Sequence, residues 1–160
     1  ANDFLEASKR CNFPDGKITE DNLPLLVPEF VNCAFACELY LKAMALMKNN
    51  NTDKIHRLDK LFYSLDKGVQ RQIYDLWREQ AGENIVDCDY VKKMFLDNLE
   101  SVGNVFARFR YVHEWSSAII SIPHSYTNDQ YHLIFNPNAY SGFLKQFAST
   151  LKVYSQTLDL

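Results

Sequence analysis

Apolar residues recur through most of this chain at intervals of three and four, the spacing that gathers them on one side of an α-helix. The clearest row is Phe30, Cys33, Cys37, Leu41 and Met44, which predicts a helix from about 28 to 48 with Pro28 in its first turn. The polar stretch NNNTD ends it. HRLDKLFYSL predicts a short second helix, and DKGVQRQIYDLWREQAG a third that stops at Gly82. A row through Phe95, Leu99, Val102 and Phe106 predicts a long fourth helix, DYVKKMFLDNLESVGNVFARFRYVHEW, capped by Asp87 or Asp89. The last helix takes Asn136 as its cap and Pro137 as its first residue, and buries Phe143, Phe147, Leu151 and Tyr154.

Two stretches depart from this pattern. Residues 1–27 carry Pro14, Gly16 and Pro24 and predict an irregular or briefly helical lead-in with a turn at PDG. Residues 116–135 are rich in β-branched and aromatic side chains around a turn at YTND, which predicts an irregular or hairpin-like excursion; Pro123 opposes a long central strand. The expected architecture is a single-domain, all-α bundle of about five helices over residues 28–160, without internal repeats.

A length of 160 residues suits one domain with a substantial core. The net charge of −3 supplies no global field for a polyanion, so any nucleic-acid contact has to rest on a local basic patch. Cys11, Cys33, Cys37 and Cys88 form no CxxC pair and read as free thiols, which points to a reducing, cytoplasmic compartment. His124 and His132 lack nearby ligands for zinc. No apolar run approaches the roughly 20 residues that span a bilayer, and the first residues carry no signal-peptide apolar stretch. GxxxxGK, GxGxxG, HExxH and GxSxG are all absent, so no cofactor, metal or membrane association is expected.

The chemistry concentrates in FARFRYVHEW at 106–115. At about 100° per residue, the apolar row of the fourth helix continues onto His113, within roughly 20° of Phe106 in projection. Arg110 falls about 40° to one side and Glu114 about 80°, giving a polar cluster at i, i+3 and i+4, while Arg108 projects about 160° away unless the helix breaks near Gly103. A guanidinium beside an imidazole can stabilise a phosphate and move a proton near neutrality. RNA cleavage by transfer of the 2′-hydroxyl onto the adjacent phosphate requires both functions. The competing reading is structural: Arg110 forms an ion pair with Glu38, which flanks the apolar face of the first long helix.

AFACELYLKAMAL at 34–46, IHRLDKLFYSL at 55–65 and FRYVHEW at 109–115 together resemble the HEPN domains of prokaryotic defence and toxin proteins. The resemblance covers about residues 28–157. It implies an α-helical bundle that usually dimerises, often as a metal-independent endoribonuclease whose paired motifs meet in a cleft between protomers; RNA and a protein partner or antitoxin are the candidate partners. The family's Arg, four to six residues, then His carries the catalytic roles onto Arg108 and His113, with Phe109 where ribonuclease members usually have a polar residue. FRYVHEW is also similar to the family's RY-x-x-E variant, which makes Arg110 and Glu114 the characteristic residues and implies a non-catalytic module that binds a nucleotide or a protein. His56 resembles the histidine that opens the family's short helix; packing at a helix start is the other reading.

Overall fold

The computed structural model describes residues 1–11, 23–48, 52–82, 88–103 and 137–158. Among them six helices and no strand occur: α1 (Asn2–Arg10), α2 (Leu23–Leu46), α3 (Leu58–Ser64), α4 (Lys67–Gln80), α5 (Cys88–Val102) and α6 (Pro137–Thr157). The all-α bundle is as predicted; the described residues alone hold six helices, against about five expected. The excursion at 116–135 lies outside the described residues.

The central element is α2. Phe30, Cys33, Ala34, Ala36, Cys37, Leu41, Met44 and Ala45 are all buried, so α2 is apolar on more than one side and packs against α1, α3 and α6. It starts at Leu23, five residues before the predicted Pro28, which lies inside the helix. Proline lacks the N–H that would reach back four residues, so Pro28 costs one hydrogen bond near the helix start, where the others still form. Burial of the following turns outweighs that loss.

The extra helix is α1. Its Leu5 and Ser8 are buried, Phe4 meets Phe35 edge to face at 4.5 Å, and the Tyr40 hydroxyl donates to Asn2 Oδ1 at 2.6 Å. Nine residues form a marginal helix in isolation. Packing against α2 is what holds it, so the start of the predicted lead-in belongs to the bundle.

Phe95 on α5 binds the other half of the core together. Its ring lies 5.6 Å from Phe62, 5.0 Å from Trp77, 5.7 Å from Phe143 and 5.8 Å from Phe147, centre to centre, which joins α3, α4 and α6. Gly82, just past α4, adopts φ +67°, the left-handed conformation that glycine takes without steric penalty, and its N–H closes onto the Glu79 carbonyl.

The predicted fourth helix is shorter than expected. Phe95, Leu99 and Val102 are buried as the row requires, but α5 ends at Val102 and Gly103 stands in a turn. The Gly103 carbonyl accepts the Leu58 N–H at 3.1 Å, so the end of α5 serves the first turn of α3. Asp59 fills the space beside the Gly103 Cα, where a Cβ would stand 2.6 Å from Asp59 Oδ1. His113 and Arg108, whose directions the angular count predicts, lie beyond Gly103 and outside the described residues.

Candidate functional site

Glu38 lies in the middle of α2, where neighbouring Cys37 and Leu41 are fully buried, and it is itself only 2% exposed. A buried carboxylate is costly unless paired. Lys42, one turn further along α2, brings its ammonium to 3.0 Å from Glu38 Oε1 and also donates to the Asp53 carbonyl at 3.3 Å. His56, just before α3, places Nδ1 2.9 Å from the same Oε1. Both partners therefore converge on one oxygen. The other, Oε2, is buried and has no hydrogen-bond partner among the described residues. Leaving such an oxygen unsatisfied typically costs about 1–3 kcal/mol.

The His56 side chain is 55% exposed. A carboxylate accepting from Nδ1–H fixes the imidazole tautomer and leaves Nε2 as the basic nitrogen. This is a carboxylate-oriented imidazole at the protein surface, an arrangement that can accept or return a proton.

Next to it, Arg57 forms a two-point pair with Asp59: Nε donates to Oδ1 at 3.0 Å and Nη2 to Oδ2 at 2.9 Å. Asp59 is buried against Gly103. Burial pushes its carboxyl up, but the hydrogen bond and charge of Arg57, with the Lys60 backbone N–H, outweigh burial and hold it below its usual range. The same hydrogen bond raises the Arg57 guanidinium. Two ionic clusters, Glu38–Lys42–His56 and Arg57–Asp59, thus meet through adjacent residues of the α2–α3 connection.

Of the predicted site residues, Glu38 is at this cluster. Arg108, Arg110, His113 and Glu114 lie in 104–136, outside the described residues, as does the Glu38–Arg110 pair. His56 makes a carboxylate pair from a half-exposed position, unlike a residue packed at a helix start. Sequence reasoning missed Lys42, whose spacing four residues after Glu38 was the available signal. Asp59 was missed too, and no sequence pattern marks its burial.

Cys33 and Cys37 are buried and free; burial, then the neighbouring Cys33 thiol, pushes the Cys37 thiol well up, which disfavours its reactive thiolate. Among the described residues no group of three His, Cys, Asp or Glu side chains is placed to hold a metal ion, and no helix is long and apolar enough to cross a membrane. No protein-family model, curated protein or solved structure matches this chain.

Proposed function

We propose that this protein is a HEPN-like, metal-independent endoribonuclease of prokaryotic defence or stress, acting in the cytoplasm as a homodimer under the control of a protein partner. Arg108 and His113 form the catalytic pair in this reading, and Arg110 is a structural counterion. The observation that supports this reading is His56, the position that resembles the histidine opening the family's short helix, with its Nδ1 2.9 Å from the Glu38 carboxylate; the buried Oε2 of Glu38, without a partner among the described residues, bears only on which arginine is left for catalysis. A guanidinium is the donor best suited to a buried carboxylate. Arg110 stands seven residues beyond Gly103, within roughly 25 Å of fully extended chain. Committing Arg110 to Glu38 leaves Arg108 to hold the phosphate. His113 then accepts the 2′-hydroxyl proton as the O2′–P bond forms, and the departing 5′-oxygen takes a proton from solvent water as its bond to phosphorus breaks. The product is a 2′,3′-cyclic phosphate.

The test is cleavage of single-stranded RNA in excess chelator. Wild type should give cyclic-phosphate ends; His113→Ala should lower the rate by about 10² or more. Arg108→Ala should abolish cleavage without a loss of stability, whereas Arg110→Ala should lower stability.

A second reading, a binding module without catalysis, is favoured by the charge balance of the cluster. Lys42 already neutralises Glu38 and His56 adds a hydrogen bond to the same oxygen, as a purely structural network would require. Absence of cleavage by purified wild type on several RNAs would establish this reading instead.

A further inference from the structure

RNA cleavage by the 2′-hydroxyl needs a base for that hydroxyl and gains from an acid at the departing 5′-oxygen. In the Arg108 and His113 pair the imidazole is the base and the guanidinium a fixed cation, so neither donates a proton to that oxygen. An imidazole suited to this second task stands two residues before α3. His56 Nδ1 is anchored 2.9 Å from Glu38 Oε1, on a carboxylate that is 2% exposed and held in turn by Lys42 at 3.0 Å. Lys42 already provides the countercharge, so neutralising Glu38 does not call for an imidazole. What the imidazole adds is Nε2, which has no hydrogen-bond partner among the described residues on a side chain that is half exposed.

The place of His56 in the fold ties it to the arginine and histidine motif. Leu58, two residues on, donates its N–H to the Gly103 carbonyl at 3.1 Å, and Asp59 lies against the Gly103 Cα. Two residues of extended chain reach at most about 7 Å, so His56 and the end of α5 are neighbours. FARFRYVHEW begins at Phe106, just after Gly103, and carries Arg108 and His113. The two histidines are far apart in sequence, yet the junction of α3 with α5 brings one to the root of the segment that bears the other.

We propose that His56 is the general acid of the ribonuclease reaction, taking the place of water as the proton donor to the departing 5′-oxygen of an RNA phosphodiester. This rests on the ribonuclease reading. The 2′-oxygen bonds to phosphorus as its proton passes to His113; the bond from phosphorus to the 5′-oxygen breaks as the Nε2 proton of the His56 imidazolium passes to that oxygen. His56 is left neutral with its Nδ1–H still donated to Glu38, and proton exchange with water restores both histidines. Glu38 is a positioning residue: by holding Nδ1 it leaves Nε2 as the nitrogen that carries and releases the proton.

Two RNA substrates test this in excess chelator, one natural and one with sulfur in place of the bridging 5′-oxygen. A thiol, with a pKa of about 8.5, departs readily as the thiolate, so the sulfur substrate does not need the acid. His56→Asn is the informative variant, because an asparagine amide can still donate to Glu38 from the position of Nδ1 but has no group at Nε2. It should lower the rate on natural RNA by about 10² or more and on the sulfur substrate by less than about threefold, with an unchanged thermal midpoint. His113→Ala should slow both substrates, because the 2′-hydroxyl still needs its base. Equal slowing of both substrates by His56→Asn, or a wild-type rate on natural RNA, overturns the proposal while the ribonuclease reading stands. So does a defect in His56→Ala that His56→Asn restores, the mark of a hydrogen bond that serves only the fold. Absence of cleavage of either substrate by wild type removes the ribonuclease reading and the role of His56 together.

Discussion

Asp59 and Gly103 occupy one another's space: the Asp59 carboxylate, gripped at both oxygens by Arg57, lies where a side chain at position 103 would begin. The contact fixes the start of α3 against the end of α5, next to the hydrogen bond from the Leu58 N–H to the Gly103 carbonyl. Gly103→Ala should therefore displace Asp59 and lower stability by about 1–3 kcal/mol, the usual penalty for overpacking. Urea unfolding of the two proteins measures this, and an unchanged midpoint would show that the α3–α5 junction yields freely.

The same carboxylate sets a pH dependence. The folded-state pKa of Asp59 is lowered, so its contribution to stability is present above the unfolded value of about 3.9 and is lost as pH falls through the folded one. Asp59→Asn should be less stable than wild type at pH 7, and the gap should narrow below about pH 3.9. Paired denaturation curves at pH 7 and pH 3 read this directly; a gap that stays constant would assign the effect to shape alone.

Around Glu38 the expectation is graded. His56 is half exposed, so His56→Ala should cost no more than about 1 kcal/mol. Arg110→Ala should destabilise more than the Glu38→Gln, Arg110→Ala double variant, since removing one partner of a buried pair strands the other. A double-mutant cycle gives the coupling. A coupling of zero would remove Arg110 from Glu38 and return it to the list of phosphate-binding candidates.

In the core, Phe95→Ala should cost about 3–5 kcal/mol, because the ring touches α3, α4 and α6 at once and no single neighbour can close the cavity. Calorimetry should show one cooperative transition at a much lower temperature. A small shift would mean that the surrounding rings repack.

Dimerisation is expected through a two-fold face that includes Tyr111 and Trp115. Light scattering at high micromolar concentration should return twice the chain mass, and Trp115→Glu should return the monomer. A monomeric wild type would remove the shared cleft on which the ribonuclease reading depends.

The elements most legible in the sequence are those stabilised by their own periodicity. The rows in α2 and α6 were visible because Phe30, Cys33, Cys37, Leu41, Met44, Phe143, Phe147, Leu151 and Tyr154 are all buried as spaced. Gly82 announced the stop of α4 because a left-handed residue is a local requirement. What the sequence leaves open is tertiary. The lead-in reads as irregular or briefly helical because α1 depends on α2 for its existence, and α5 stops at Gly103 where α3 supplies a donor and a carboxylate from more than forty residues away. At the candidate site, Glu38 stood out as a charge beside an apolar row. Its pairing with His56 was hidden, because the chain that returns His56 to α2 follows from packing and carries no signature of its own.

The setting of Trp77 gives this protein a built-in optical gauge. Trp77 is 3% exposed, stacked near Tyr74 at 6.4 Å and tilted against Phe95 at 5.0 Å, with its indole N–H lacking a hydrogen-bond partner among the described residues. An indole so enclosed should emit at short wavelength and shift to the red on contact with water. The chain has only one other tryptophan, Trp115, so a Trp115→Phe background isolates that signal. Fluorescence from a single site would then follow loosening at the junction of α4, α5 and α6, and would separate variants that injure the bundle from variants that injure only its chemistry.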